Sequence, residues 1–284
     1  MNEREADVDI SAAEGPRVLS LFSGAGGLDL GLRMVLPRAR TVCYVEGEAF
    51  AAANLAAKME DNQLDPAPIW TDVRTFDGNP WRGVVDCIVG GFPCQDISSA
   101  GRLAGIGGAK TGLWSDVVRL AREVGPCFLF LENVATITSR GLDRVLGDLA
   151  EIGLDAEWVC VRASGAGAPH SRARWFCLAY AHSFRRESIG LGWVQHRERA
   201  ARRDNSNGRN GWPQGPASNQ APWEPPRTTQ PGVGGMPYGV AHRVDCAAHR
   251  VDRLRLCGNG VVPQQAALAL EILIDRITNQ RTEH

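Results

Sequence analysis

Lysine is nearly missing from this 284-residue chain, in which Lys58 and Lys110 stand against 29 arginines. Arginine in that excess suits bidentate contacts to phosphate or guanine, and it equally suits a GC-rich coding sequence. No C-x-x-C pair occurs among the eight cysteines, Cys43, Cys87, Cys94, Cys127, Cys160, Cys177, Cys246 and Cys257, and five of them lie inside strand-like apolar runs. That spacing argues against a zinc site and against a disulfide framework. No run approaches the roughly 18 apolar residues that a transmembrane helix needs. The first residues, MNEREADVDISAAEG, are acidic and polar, unlike a secretory signal. A soluble, cytoplasmic protein with no membrane contact and no bound metal is expected. With 44% hydrophobic and 22% charged residues, the chain can bury one large core plus a smaller appendage, which excludes disorder for the chain as a whole.

A net charge of -1 conceals an asymmetry along the chain. Residues 1–80 carry 13 acidic and 7 basic side chains, whereas residues 160–210 carry 10 arginines against 3 acids. A basic segment on a neutral-to-acidic body fits polyanion binding, and it fits a solvated arginine-rich surface equally well. Between Arg17 and Tyr180, short β-branched runs alternate with amphipathic stretches. Strands are expected at Val18–Phe22, Val42–Glu46, Ile69–Val73, Val84–Val89, Phe128–Val134, Trp158–Arg162 and Trp175–Ala179, and helices at Gly27–Leu36, Glu48–Glu60, Leu113–Val124 and Leu142–Ile152. This alternation predicts an α/β fold with a doubly wound, mostly parallel sheet. From about 181 to Tyr238, Gly, Pro, Asn, Arg and Trp dominate and periodicity is lost, which marks a small irregular lobe. A helix is expected again at Val261–Ile277, with Pro263 near its start. The expected organisation is a disordered tail at 1–15, a main domain at 16–180, the lobe at 181–238 and a return to the main domain at 239–284.

Chemistry-bearing residues collect at the predicted strand ends. In Gly90–Ser98, GGFPCQDIS, Cys94 sits just past an apolar strand, on the kind of loop where doubly wound sheets bind ligands. Pro93 stiffens the backbone before the thiol, and Gly91 allows close approach. A lone cysteine is more often a small buried hydrophobe than a nucleophile. The first strand runs into Ser23-Gly24-Ala25-Gly26-Gly27, a turn that can set a nucleotide-like ligand against a helix N-terminus. The third glycine of a dinucleotide fingerprint is replaced by Asp29, which disfavours a pyrophosphate and leaves a smaller adenosine-bearing ligand open. Glu46 ends the second strand, where an acid accepts from ribose hydroxyls, and Asp72 closes the third in a similar way. Singly, each acid reads as a cap or a surface carboxylate; three consecutive strand ends together favour a cofactor site. Glu132 and Asn133 emerge after Phe128–Leu131, where a carboxylate with a raised pKa serves as proton donor or anchor, or simply caps a loop. Arg172 and Arg174 alternate into the last strand and so point to one face, toward an anionic or carbonyl-bearing partner or as an edge-strand solubility device.

Seven of these pieces occur in the order of one known family. LFSGAGG at Leu21–Gly27, Glu46, Asp72, GGFPCQ at Gly90–Gln95, ENV at Glu132–Val134, HSRAR at His170–Arg174 and GNGVVP at Gly258–Pro263 resemble the DNA cytosine carbon-5 methyltransferases. The likeness covers roughly Arg17–Tyr180 and Tyr238–Ile277, and Pro-Cys-Gln after a glycine-ended strand is its most specific part. The resemblance implies a Rossmann-like, S-adenosylmethionine-dependent catalytic domain with the lobe as its target-recognition region. It implies that the Cys94 thiolate adds to carbon 6 of cytosine, that Glu132 binds and protonates the ring nitrogen, and that Arg174 and Arg172 hold the base. It implies cofactor contacts from Phe22 to adenine, from Ser23, Gly24, Gly26 and Gly27 to the methionine end, from Glu46 to ribose and from Asp72 to the adenine amine, with Pro93, Asn259 and Val261 nearby. The substrate is expected to be a cytosine flipped out of a short duplex DNA sequence. The enzyme is expected to be a monomer in a bacterial or phage-infected cell, within a restriction–modification setting.

Three positions depart from the family pattern. Gly47 stands where a larger residue is common, Asp96 replaces a proline after Pro-Cys-Gln, and His170 stands where glutamine is frequent. The competing readings are a relative that methylates cytosine in structured RNA and an inert DNA-binding relative. An exocyclic-amine methyltransferase would need an Asp/Asn-Pro-Pro-Tyr-like tetrapeptide, which is not in the sequence.

Overall fold

Short, nearly continuous apolar runs, whose successive side chains point to opposite faces, build a sheet that is covered on both faces. The computed structural model describes residues 15–93, 112–168, 170–181 and 250–279. Its strands are β1 (Arg17–Leu21), β2 (Arg40–Val45), β3 (Ile69–Trp70), β4 (Cys87–Gly91), β5 (Phe128–Val134), β6 (Leu154–Arg162) and β7 (Ala173–Ala181). The helices are α1 (Gly27–Val35), α2 (Ala49–Glu60), α3 (Leu113–Val124), α4 (Leu142–Glu151), α5 (Arg250–Asn259) and α6 (Pro263–Asn279). Leu19, Leu21, Ile88, Leu129, Leu131, Trp175 and Cys177 face α3 and α4. Their neighbours Val18, Val89, Phe128, Phe130, Phe176 and Leu178 face α1 and α6. Period-two patterning therefore supplies two cores, one on each side of the sheet.

The seven strands lie in the order β3-β2-β1-β4-β5-β7-β6. Pairing is parallel from β3 through β5, whereas β7 runs antiparallel to both β5 and β6. The doubly wound, mostly parallel α/β architecture expected from the sequence is the one observed. Four details differ. β3 stops at Trp70 rather than Val73, because Asp72 caps a 3-10 turn, Val73–Thr75, by accepting from the Arg74 amide. β4 begins and ends later than expected, since Gly90 and Gly91 do not end it but pair on with Leu131 and Glu132. β6 starts four residues early, at Leu154, where its long antiparallel ladder with β7 carries it past the apolar segment. Helix α5 has no apolar periodicity and was not expected.

Two packing features set α1 in place. Gly31 lies against α6, where a Cβ atom would stand 2.6 Å from the Ala266 methyl and 2.8 Å from the Pro263 carbonyl oxygen. Asp29, 2% exposed, accepts from the Ser20 and Thr41 hydroxyls, each at 2.9 Å, and so ties α1 to β1 and β2. Burial pushes its carboxyl pKa up to about 6, against the pull of those two hydrogen bonds. The residue that departs from a dinucleotide fingerprint thus has a structural task.

Substituting Gly31→Val forces α1 from α6 and is expected to cost about 1–3 kcal/mol in chemical denaturation. For Asp29, the folded state retains a proton above the ordinary value of 3.8 and up to about 6. More protons are then bound in the folded than in the unfolded chain, so this group's contribution falls as pH rises through that window, by at most about 3 kcal/mol, and is level above it. Denaturation between pH 4 and 7 should show that component in the parent and lose it in Asp29→Asn.

Candidate active site

The sheet order places a crevice between β1 and β4. The chain proceeds from β1 outward to β2 and β3 on one side and from β4 to β5 on the other, so the loops leaving β1 and β4 diverge. Leu21 pairs with Gly90, which sets Phe22 and Gly91 at the two walls. Phe22 has φ 52°, a left-handed conformation that costs a non-glycine residue about 1–2 kcal/mol. Such strain is kept where the surrounding structure enforces it, commonly at ligand sites. The turn continues through Ser23 and Gly24 to Gly26, which caps α1 at φ 72°.

Glu46 is joined directly to this turn. Its carboxylate accepts from the Gly24 amide and from the Glu48 amide, both at 2.7 Å. Burial raises its pKa, and the amide hydrogen bonds oppose the rise. The returning segment also reaches the turn: a Cβ on Gly27 would collide with the Val261 carbonyl, so glycine is required where that segment crosses the start of α1. Asn259 is the exposed last residue of α5. Asp72 is engaged within its own turn. It lies beyond the end of β3, and its carboxylate is engaged by the Arg74 amide at 3.0 Å and the Arg74 Nε at 2.9 Å, which holds its pKa below the usual carboxylate value. Cys94, the segment 94–111 and the lobe from 182 onward lie outside the described residues.

On the other wall, strand reversal brings opposite charges together. Because β7 is antiparallel, its first residues lie at the same sheet edge as the last residues of β4 and β5, and Arg174 pairs opposite Val134. The Arg174 Nε stands 2.7 Å from the Glu132 Oε1, with the two side chains 12% and 7% exposed. Burial pushes the Glu132 carboxyl up to about 7, although the adjacent guanidinium pulls it down. Gly91 gives this carboxylate its space, since a Cβ there would lie 3.0 Å from Glu132 Oε2. Asn133, which the sequence marked only as a strand-end neighbour, donates to the Phe92 carbonyl at 2.9 Å. The exit of β5 thereby grips the residue before Pro93, and the Phe92 ring packs on Trp114 with centroids 4.7 Å apart.

Arg172 and Arg174 meet different partners among the described residues. Arg172 donates to the Gly258 carbonyl at the end of α5, tying the returning segment to the entry of β7. Gln265, fully buried on α6, donates to the Val161 and Arg172 carbonyls at 2.8 and 2.9 Å and anchors the same corner. Sequence reasoning passed over it; the available signal was a glutamine on the apolar stripe of that helix. Burial pushes the Cys43 and Cys127 thiols up to about 11 and raises Cys87 and Cys177 as well, so these cysteines remain protonated at neutral pH. Among the described residues, no group of His, Cys, Asp or Glu could hold a metal ion, and no helix is long and apolar enough to cross a membrane.

The model of the C-5 cytosine-specific DNA methylase family matches residues 16–210. The chain belongs to this family. It is 37% identical over 174 residues to the type II methyltransferase M.CviJI of Paramecium bursaria Chlorella virus IL3A, covering 61% of this chain and 45% of that protein. It is 33% identical over 135 residues to M.Eco47II of Escherichia coli, covering 48% of this chain and 31% of that protein. The chain spans less than half the length of these curated relatives. A crystal structure of the S. pombe Dnmt2 methyltransferase aligns at 20% identity and a TM-score of 0.48, over 58% of this chain and 51% of that one. C-5 cytosine methylases are S-adenosylmethionine-dependent in general.

The guanidinium is the cause that lowers the Glu132 pKa, so Arg174→Met is expected to raise the carboxyl above about 7. Difference infrared titration, with Glu132→Gln as the assignment control, measures it; an unchanged or lowered midpoint contradicts the geometry.

Proposed function

We propose that this chain carries the catalytic machinery of a DNA cytosine carbon-5 methyltransferase, acting on a cytosine flipped from duplex DNA. The observation that carries the reading is the buried Glu132–Arg174 pair at the exit of β5, where Glu132 pairs opposite Gly91, three residues before Cys94 in sequence. A carboxyl poised near pH 7 beside a fixed cation suits a heterocycle whose ring nitrogen must gain a proton while its carbonyl is held.

The turn and its acid fit an adenosine-bearing cofactor. Glu46, already oriented by two amides, retains acceptor capacity for ribose hydroxyls, and the strained Phe22 and the glycine turn line the β1 wall. Ser23, Gly24, Gly26 and Gly27 would hold the amino-acid end, with Asn259 and Val261 closing the pocket from the returning segment. Asp72 would reach the adenine amine only after leaving Arg74. Pro93 shapes the boundary between this pocket and the nucleophile. Bound there, S-adenosylmethionine supplies an electrophilic methyl group.

The chain's own residues do the rest. Cys94 as thiolate adds to carbon 6 of the cytosine, and the electron pair displaced onto the ring is neutralised as Glu132 protonates the ring nitrogen. Carbon 5 is thereby made nucleophilic. Arg174 orients Glu132 and faces the base oxygen, while Arg172 holds the returning segment. Once carbon 5 carries the methyl group, loss of its proton re-forms the carbon 5–carbon 6 double bond and expels the Cys94 thiolate, and the ring nitrogen returns its proton to Glu132. Asn133, through the Phe92 carbonyl, fixes the backbone from which Cys94 extends. The basic lobe at 181–238 would read duplex DNA through arginine contacts to phosphate, making binding salt-dependent. The names of the curated relatives favour a type II restriction–modification setting.

Labelled methyl transfer is expected to duplex DNA and not to tRNA, and labelling of RNA alone would reverse the choice of substrate. Cys94→Ser should abolish transfer and the covalent adduct with 5-fluorocytosine DNA; full activity in that variant would dismiss the mechanism. Because protonated Glu132 is the active form, kcat/KM should fall as pH rises through about 7. Glu132→Gln should lose about 10²–10⁴-fold and, with it, that limb of the profile.

A further inference from the structure

Helix α2 turns a cation into the protein. Lys58 is 2% exposed, one turn after the fully buried Asn54. Its ammonium donates to the Ala25 carbonyl at 2.5 Å, in the middle of the Ser23–Gly27 turn and 33 residues away in sequence. Desolvating an ammonium costs several kcal/mol unless opposite charge and hydrogen bonds offset it. Among the described residues, the Ala25 carbonyl is the hydrogen-bond partner of Lys58, and the carboxylate that acts on it is Asp29, which is already bonded to Ser20 and Thr41. Burial accordingly lowers the ammonium pKa to about 8. Neither amide atom of Asn54 has a hydrogen-bond partner among the described residues. The back of the glycine turn thus holds more donor capacity and more positive charge than its visible partners use. The front is the N-terminal end of α1, where backbone amides and the helix dipole also favour an anion.

We propose that Lys58 is a positioning residue for the anionic end of the cofactor: it fixes the Ala25 peptide and sets a full positive charge behind the turn, complementing the carboxylate of the bound amino-acid moiety. The proposal rests on the S-adenosylmethionine reading given above. It also accounts for a charge on an otherwise closed helix face, since a neutral residue of similar length would fill the same space at lower desolvation cost.

Two lysines in the whole chain make the test direct. Protein labelled with 15N-lysine gives two side-chain resonances, and Lys58→Arg assigns them. S-adenosylhomocysteine carries the amino-acid carboxylate; 5′-methylthioadenosine keeps the adenosine and thioether and lacks it. S-adenosylhomocysteine and its deaminated analogue are expected to raise the titration midpoint of Lys58, and 5′-methylthioadenosine to leave it in place. By calorimetry, Lys58→Met should bind S-adenosylhomocysteine about tenfold more weakly with 5′-methylthioadenosine affinity unchanged, and Lys58→Arg should recover part of the loss. A midpoint that ignores the carboxylate ligands, or an equal loss for both ligand types, overturns the role. If the parent protein binds neither ligand, the cofactor reading itself fails and takes this one with it.

Discussion

Glu132 and Arg174 are buried together where the parallel strands meet the reversed strand β7, and much of the site's architecture follows from that pairing. A carboxylate this deeply buried is held by its guanidinium, and removing one partner of such a pair typically costs about 3–5 kcal/mol. The pair needs three things at once: the exit of β5 for Glu132, the entry of β7 for Arg174, and a glycine at position 91 to leave room for the carboxylate. A parallel β7 would send Arg174 to the opposite end of the sheet. The antiparallel turn of this one strand is what brings a cation to the edge where the other strands end.

The same edge is divided into two functional walls by the break in strand order between β1 and β4. On the β1 wall, backbone amides and one acid are joined, because each Glu46 oxygen accepts one amide, from the turn and from its own following loop. Behind that wall, Asp29 and Lys58 place buried charges of opposite sign under the first helix. On the β4 wall, Asn133 fixes the Phe92 carbonyl, so the segment entering Cys94 starts from a defined position. Glu46, Lys58 and Asn133 are each tied to backbone, which favours a crevice that is pre-organised rather than assembled on binding.

Legibility in the sequence tracked the range of the interactions involved. Strand and helix positions, the glycine turn, Glu46 and Glu132 were visible because they depend on local periodicity and on the rule that ligands sit at strand ends. Asp72 was read as closing β3, yet a neighbouring arginine and a capping turn took its carboxylate. Gly90 and Gly91 were read as breakers, yet cross-strand pairing carried the strand through them. Helix α5 escaped notice because its residues lack apolar periodicity, and it is held by contacts such as Arg172 to Gly258 and Arg255 to Glu48 at 3.2 Å. Asn133, Gln265 and Lys58 are single polar residues in apolar stripes, and nothing local says which carbonyl each will reach.

Sequence alone was enough to determine the α/β class, the mostly parallel sheet and the family, because periodicity and short motifs are local properties of the chain. The tertiary structure decided which residues share an environment: Glu132 with Arg174, Glu46 with the Gly24 amide, Lys58 with the Ala25 carbonyl, and Asp72 with Arg74. Those pairings join residues up to 42 positions apart through strand order and burial. Charge state follows from them, since it depends on the solvent and the partners that only the folded chain supplies.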